Sequence, residues 1–365
     1  MHAYSGTKPV AEQHAFDVGA LQDYLRRHLP LEGDGFDASL HVEQFKGGQS
    51  NPTFKLLTRD AAYVMRAKPG PGAKLLPSAH AIEREFKVMR ALQGSGVPVP
   101  RMHLLCEDES VIGRAFFVME FVPGRVLWDQ ALADTDKASR RAIYDEMNRV
   151  IATLHGVDVA AAGLSDFGRP GNYFERQIAR WSKQYAASMT EPIDAMDHLM
   201  AWLPANIPDS ARDPTQVGIV HGDYRLDNLV FHEVEPRIVA VLDWELSTLG
   251  HPLADFSYHC MSWHIEPGTF RGIAGLDFAA LGIPEERAYV RRYCERTGRI
   301  APGGEPDAVM ADWNFYLAYN LFRLAAILQG IKRRVVDGTA ASAQARSSAA
   351  GAGPLAEMGW KIARQ

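Results

Sequence analysis

The chain has 365 residues, 47% hydrophobic and 23% charged, the balance of a soluble globular protein with room for one large or two modest lobes. A formal net charge of -5 gives no bulk support for a nucleic-acid partner, and apolar runs such as Val239–Leu242 are far too short to cross a bilayer. Cys106, Cys260 and Cys294 are widely spaced with no CxxC pair, and Met1–Asp17 shows no basic stretch followed by an apolar core. The expectation is a cytoplasmic protein with no disulfide framework, no zinc site and no signal peptide.

In chain order, residues 1–15 read as a loose terminus. Apolar residues recur at helical spacing over Val18–Leu29, which predicts an amphipathic helix. Short β-type runs follow at 40–45, 53–58 and 62–66, broken by Gly47-Gly48 and Arg59-Asp60. Ser78–Gln93 predicts a helix with Ile82, Phe86, Met89 and Leu92 on one face, Ser78 as its N-cap, and Gly94 and Gly96 beyond its end. Two strands come next, at 101–106 and 115–121. Pro98 and Pro100 make the first an edge strand or an extended entry. Beyond Pro123-Gly124 the pattern turns helical, at 140–155, 172–187, 193–202, 252–263, 285–297 and 312–335. Strands at 217–220, 229–231 and 238–242 interrupt it. The small residues of 340–353 predict a flexible crossing to a terminal segment. The fold class is α+β: an N-terminal segment and helix (1–35), a small β-rich lobe with one helix (36–122), a larger helical lobe (123–339) and a tail (340–365).

The stretch richest in chemistry is His221-Gly-Asp-Tyr-Arg-Leu-Asp-Asn228, which leads into the strand Leu229–Phe231. Asp243 ends the apolar strand Ile238–Leu242. Pairing of the two strands as a hairpin brings Asn228 and Asp243 to one end. One amide oxygen and one carboxylate suit magnesium, a hard cation that takes few protein oxygens and completes its shell from phosphate and water. Asp223 lies on the loop before the strand, where it can accept a hydrogen bond from an attacking hydroxyl and orient it. Lys46-Gly-Gly-Gln-Ser-Asn51 is a candidate phosphate cover, because Gly47 and Gly48 let backbone N–H groups, with Gln49 and Ser50, approach phosphate oxygens. A plain Gly-Gly hairpin turn is the alternative. No Walker A motif is present. His251, His259, Cys260 and His264 match no zinc spacing, and Tyr173, Arg176 and Arg180 read as an ordinary exposed helical face.

HGDxxxxN followed by an apolar strand and Asp-Trp resembles the catalytic-loop and metal signatures of the aminoglycoside phosphotransferase superfamily, which is similar to protein kinases. The resemblance implies a protein-kinase-like two-lobe fold and a kinase that uses ATP and Mg2+ to phosphorylate a small-molecule alcohol. It implies Asp223 as catalytic base and Asn228 and Asp243 as metal ligands. Gly222 stands where protein kinases have arginine, and Trp244-Glu245 stands for Phe-Gly. Gly250-His-Pro-Leu-Ala-Asp255 is similar to the family segment whose aspartate braces the catalytic loop. Val118–Gly124 looks like a kinase hinge, with the Glu120 carbonyl and Val122 N–H for the adenine edge and Met119 as gatekeeper. Ala62–Arg66 resembles the strand whose terminal cation grips the nucleotide phosphates. Arg66 is favoured, with Lys68 two residues on; Glu85 is its expected partner, and Glu83 lies about 200° away around the helix.

More specifically, Gly48–Pro52, Lys74–His80 and Cys106–Gly113 resemble the kinase-like domains associated with acyl-CoA dehydrogenases, over about residues 35–335. That likeness implies a hydroxyacyl-CoA or related alcohol as acceptor, in a chain with no room for a dehydrogenase domain. The alternatives are an aminoglycoside-type antibiotic kinase, a nucleotide-binding pseudokinase acting as a regulatory module, and a metal-dependent phosphohydrolase. No acidic cluster suited to a polycationic sugar is evident beyond the catalytic residues. Neither a nucleic-acid nor a membrane partner is expected.

Overall fold

Period-two alternation builds the first sheet. In the computed structural model, which describes residues 6–29, 36, 39–46, 51–70, 81–169, 171–339 and 349–365, the chain divides into two compact units. The first comprises residues up to Trp128 together with 162–164 and 227–247. Its elements are β1 (Thr7–Lys8), α1 (Val18–His28), β2 (His41–Phe45), β3 (Thr53–Leu57), β4 (Ala62–Ala67), α2 (Ile82–Leu92), β5 (Met102–Cys106), β6 (Phe116–Glu120) and β7 (Arg125–Val126). The hairpin of β9 (Leu229–Phe231) and β10 (Ile238–Val241) completes it. The main sheet is antiparallel in the order β1-β2-β3-β4-β6-β5, so the proline-preceded β5 is an edge strand, where a missing N–H does least harm.

One face of this sheet carries Phe54 and Leu56 of β3, Tyr63, Met65 and Ala67 of β4, and Phe116 and Val118 of β6. Leu21 and Leu25 of α1 are wholly buried against them, each contributing about 1.5–3 kcal/mol of hydrophobic stabilisation. Asp17 starts α1 by accepting from the Ala20 N–H. Alternation then puts Val64 and Arg66 on the opposite face, the side on which Phe86 of α2 meets Phe117. The start of α2 expected at Ser78 lies outside the described residues.

The N-terminal residues depart from the expected loose terminus. β1 pairs with Gln44–Phe45, the Ala11 N–H donates to the Gln44 side chain at 3.0 Å, and Arg114 donates to the Ala15 carbonyl at 2.9 Å. A two-residue strand has no periodicity to read, yet it covers an edge that β2 would otherwise expose.

The second unit holds α3 (Lys137–His155), α4 (Tyr173–Ser188), α5 (Asp194–Ala205), α6 (Asp209–Arg212), β8 (Gly218–Val220), β11 (Thr248–Gly250) and α7 (Pro252–Cys260). It continues through α8 (Phe278–Leu281), α9 (Glu286–Arg296), α10 (Asp307–Ala311), α11 (Trp313–Val336) and α12 (Ala352–Ala363). α11 is buried over most of its length and packs on α4, α5, α7 and α12. Every residue of α7 is buried. The crossing predicted at 340–353 falls largely outside the described residues. The terminal segment is a helix whose Leu355, Ala356 and Ile362 are buried. Among the described residues no helix is long and apolar enough to cross a membrane.

Residues 227–247 group with the first unit because they are tied to it by backbone hydrogen bonds. β7 pairs with β9, and the Val241 N–H donates to the Pro98 carbonyl at 2.8 Å. Where the chain leaves β6 it passes so close to β9 that a Cβ on Gly124 would stand 2.3 Å from the Phe231 carbonyl oxygen. We therefore expect Gly124→Ala to lose about 1–3 kcal/mol of stability by overpacking, read as a lower midpoint in thermal unfolding; an unchanged midpoint would show that the backbone at this crossing gives way freely.

Candidate active site

In the first unit, Arg66 is the centre of a charged cluster. Its Nε lies 3.2 Å from Glu85 Oε2, and its Nη2 lies 3.0 Å from Asp243 Oδ1 and 3.2 Å from Glu245 Oε2. The Arg66 side chain is 11% exposed and that of Glu85 1%, so these charges meet with little water to screen them. Burial works against the Arg66 charge, but Glu85, Asp243 and Glu245 outweigh it and hold the guanidinium above its ordinary value. Burial, reinforced by the Asp243 and Glu245 charges, pushes Glu85 up to about 7 even though Arg66 pulls the other way. Buried Asn51 donates to Glu85 Oε1 at 3.1 Å. Lys68 pairs instead with Glu83. The two candidate cations and the two candidate acids thus sort into Arg66–Glu85 and Lys68–Glu83.

Asp243 reaches this cluster through the hairpin. Leu229 pairs with Val241, and the Leu242 N–H donates to the Asn228 carbonyl at 2.8 Å, so Asn228 and Asp243 stand at one end of β9–β10. Asp243 itself is in the left-handed region at φ +66°, a conformation that costs energy for a residue with a Cβ and persists where the surroundings dictate it. Those surroundings include buried Trp244, whose indole N–H donates to the Val241 carbonyl at 2.9 Å. The donor set fits a hard divalent cation: an amide oxygen and a carboxylate at one end of the hairpin, with Glu245 placing a second carboxylate beside Arg66.

Among the remaining first-unit candidates, Met119 is buried in β6 opposite Val64, and Glu120 is exposed at the strand's end, its N–H donating to the Arg101 carbonyl at 2.8 Å. Val122 follows on the segment leading to Gly124 and β7. Gly47, Gly48, Gln49 and Ser50 lie outside the described residues.

In the second unit, the loop between β8 and β9 is braced by Asp255 of α7. Asp255 accepts from the His221 N–H at 2.7 Å and the Gly222 N–H at 2.8 Å, and His155 Nε2 stands 3.3 Å away. Burial pushes Asp255 up, but these donors outweigh it and hold the carboxyl below its ordinary value. Burial lowers His155 and keeps it neutral. Since an ionised Asp255 only accepts, Nε2 carries the proton and Nδ1 accepts from the Tyr293 hydroxyl at 2.7 Å. Gly222, where protein kinases have arginine, sits at φ +84°, the left-handed region that glycine enters at no steric cost. Its carbonyl accepts from Arg323 at 2.6 Å. Asp223 follows, with Oδ1 accepting from the Tyr258 hydroxyl at 2.6 Å and Oδ2 lying 3.0 Å from Arg225 Nε.

Asn51, Glu245, Tyr258 and Arg323 were not legible as partners. Glu245 lies two residues beyond Asp243 and Tyr258 is one helical turn from Asp255, which is the only signal either carries in the sequence. Tyr173 departs from the expected exposed face: it is buried, its ring filling the space that a Cβ on Gly250 would need. The histidines are core or near-core groups, His259 facing the Tyr289 hydroxyl at 2.8 Å and His264 facing Glu286 at 2.9 Å. The three cysteines are free and buried.

A family model for phosphotransferase enzymes, the APH family, matches residues 41–299. The chain belongs to that phosphotransferase family. It is 44% identical over 360 residues to acyl-CoA dehydrogenase family member 10 of Mus musculus, and the likeness to the dehydrogenase-associated group holds. That match covers 98% of this chain and 32% of the mouse protein, so the chain spans about a third of the relative's length. Among solved structures, a candidate aminoglycoside phosphotransferase from Ralstonia eutropha JMP134 has 61% identity and a TM-score of 0.85, covering 96% of this chain and 99% of that one. An amicoumacin kinase in complex with AMP-PNP, Ca2+ and Ami covers 86% of each chain at a TM-score of 0.54; at 15% identity this is a likeness of fold. The APH phosphotransferase has a kinase-like fold, with a β-rich N-lobe and a helical C-lobe.

Two outcomes follow from this geometry. Asp255→Ala leaves two buried N–H groups without their acceptor and should cost about 2–5 kcal/mol, measured by denaturant titration. Because the folded Asp255 value is depressed, its contribution is complete above the ordinary carboxylate range and is lost as pH falls through the lower folded value. The variant should therefore lose part of the wild-type acid limb; an identical limb would rule out Asp255 as its source. Arg66→Ala should weaken nucleotide binding in calorimetry well beyond Lys68→Ala, and the reverse order would assign the phosphate-side cation to Lys68.

Proposed function

We propose that this phosphotransferase moves the γ-phosphoryl group of ATP, with magnesium, to a hydroxyl of a small molecule. The observation that carries the reading is Arg66, held between Glu85 of α2 and Asp243 of the hairpin in a chain of this family. Arg66 would bind nucleotide phosphate oxygens, with Glu85 and Asn51 fixing its direction. Met119, Glu120 and Val122 would line the adenine end, and Gly47–Ser50 would cover the phosphates. Asn228 and Asp243 would hold the metal, which when bound supplies positive charge to phosphate oxygens.

The proposed role of Asp223 is proton transfer. The acceptor hydroxyl gives its proton to the Asp223 carboxylate as its oxygen bonds to the γ-phosphorus and the bond to the departing ADP oxygen breaks. Phosphoryl transfer asks little covalent chemistry of a protein and much positioning, which suits a carboxylate held at both oxygens.

For the acceptor, we propose a hydroxyacyl-CoA or related alcohol. The likeness to acyl-CoA dehydrogenase family members supports this class. Asp243→Ala should reduce turnover to background in an assay of ATP consumption with magnesium, while circular dichroism stays that of the folded protein. Full turnover in that variant would sink the metal assignment. The acceptor is tested by offering ATP, magnesium and a panel of hydroxyacyl-CoAs, aminoglycosides, choline and sugars. Phosphorylation of a hydroxyacyl compound is expected; efficient transfer to an aminoglycoside alone would overturn the acceptor and keep the chemistry.

A further inference from the structure

α7 touches the catalytic loop twice. Asp255 takes the N–H groups of His221 and Gly222, and Tyr258, one turn later on the same helix, donates its hydroxyl to Asp223 Oδ1 at 2.6 Å. The first contact fixes where the loop's backbone is; the second fixes where its carboxylate points. Tyr258 is 7% exposed, and its own position is held from the other side. The Arg323 guanidinium lies 5.2 Å from the Tyr258 ring centre while donating to the Gly222 carbonyl at 2.6 Å, so one arginine of α11 clamps ring and loop together. Burial, with the Asp223 charge beside it, raises the Tyr258 hydroxyl well above its ordinary value, so it stays protonated and can only be the donor to an ionised carboxylate.

We propose that Tyr258 is a positioning residue that aims the Asp223 carboxylate at the acceptor hydroxyl, with Arg323 holding the Tyr258 ring in place. Each carboxylate oxygen accepts more than one hydrogen bond. Tyr258 on Oδ1 and Arg225 on Oδ2 fix the plane of the group and leave capacity for the acceptor's O–H. A carboxylate free to rotate about its Cβ–Cγ bond would spend part of its time misaligned, and small misplacements are costly where the reaction depends on alignment. The proposal rests on the reading of Asp223 as the base.

Tyr258→Phe removes only the hydroxyl and keeps the ring that Arg323 covers. The assay is ATP turnover with magnesium and water as the acceptor, in the full chain, for wild type, Tyr258→Phe, Asp223→Asn and the double variant. The kcat of Tyr258→Phe should fall about tenfold or more, a part of the 10²–10⁴ that a positioned general acid or base contributes, with KM for ATP unchanged. Residues acting as one unit are non-additive, so Tyr258→Phe should have no further effect in the Asp223→Asn background. A merely structural tyrosine would lower kcat by the same factor in both backgrounds, and that result would overturn the proposal. An Asp223→Asn variant as active as wild type would overturn the base assignment along with it. Should Tyr258→Phe fail to fold, Arg323→Lys, which loses the planar stack and keeps the charge, must show the same non-additivity for the proposal to stand.

Discussion

A buried guanidinium facing three carboxylates is the constraint around which the first unit is organised. Opposite charges about 4 Å apart gain roughly 4 kcal/mol at an effective dielectric near 20, before the desolvation that a buried pair must also meet. One carboxylate would leave Arg66 near break-even. Three do better, and they come from two separate parts of the chain: Glu85 from α2, and Asp243 and Glu245 from the hairpin. The register of β4, the docking of α2 and the placing of residues 227–247 are therefore coupled through one side chain. Even with Glu85 pushed up to about 7, Asp243 and Glu245 leave the cluster acidic around its single guanidinium. A protein that only needed a stable core would place apolar residues there; an acidic excess at the end of a hairpin is what the cation site proposed above would need.

The second unit uses a different device. The loop that carries Asp223 is tied to α7 and α11. Asp255 satisfies two backbone N–H groups, Arg323 takes a carbonyl, and Tyr258 takes the carboxylate. Neutral His155 and the Tyr293 hydroxyl complete the chain of donors behind Asp255. A loop at left-handed Gly222 has no regular ladder to share its polar groups with, so side chains from packed helices supply the missing partners.

Much of this was legible in the sequence, for reasons particular to each element. Val18–His28 and Ile82–Leu92 declare themselves by apolar spacing, and the strands of the main sheet by alternation between turn residues. Period two puts Arg66 and Lys68 on one face and does not choose between them; the family resemblance favoured Arg66, and 3.6 residues per turn separated Glu85 from Glu83. What stayed hidden depends on contacts between residues far apart in the chain. Nothing local says that Asn51 will donate to Glu85, that Glu245 will share Arg66, or that Arg323 will reach back a hundred residues to Gly222. Thr7–Lys8 and Arg125–Val126 are too short for any pattern. Chain order also gives no hint that residues 227–247 pack with residues more than a hundred positions earlier, because that grouping arises from strand pairing, the hydrogen bond to Pro98 and the Arg66 ion pairs.

The wholly buried state of α7 bears on how this enzyme can diversify. A helix with a solvent face offers positions where substitutions accumulate unnoticed and later acquire a use. From Pro252 to Cys260 there is no such position. Its side chains pack on β8, α9 and α11 as well as on the loop that carries Asp223, so a change along it disturbs packing in several directions at once. Descendants of this sequence that come to act on other molecules are thus expected to keep α7 and to vary where a helix has an open side, as α4 does at Arg180 and Lys183. Chemistry and choice of substrate would then drift at different rates within one chain.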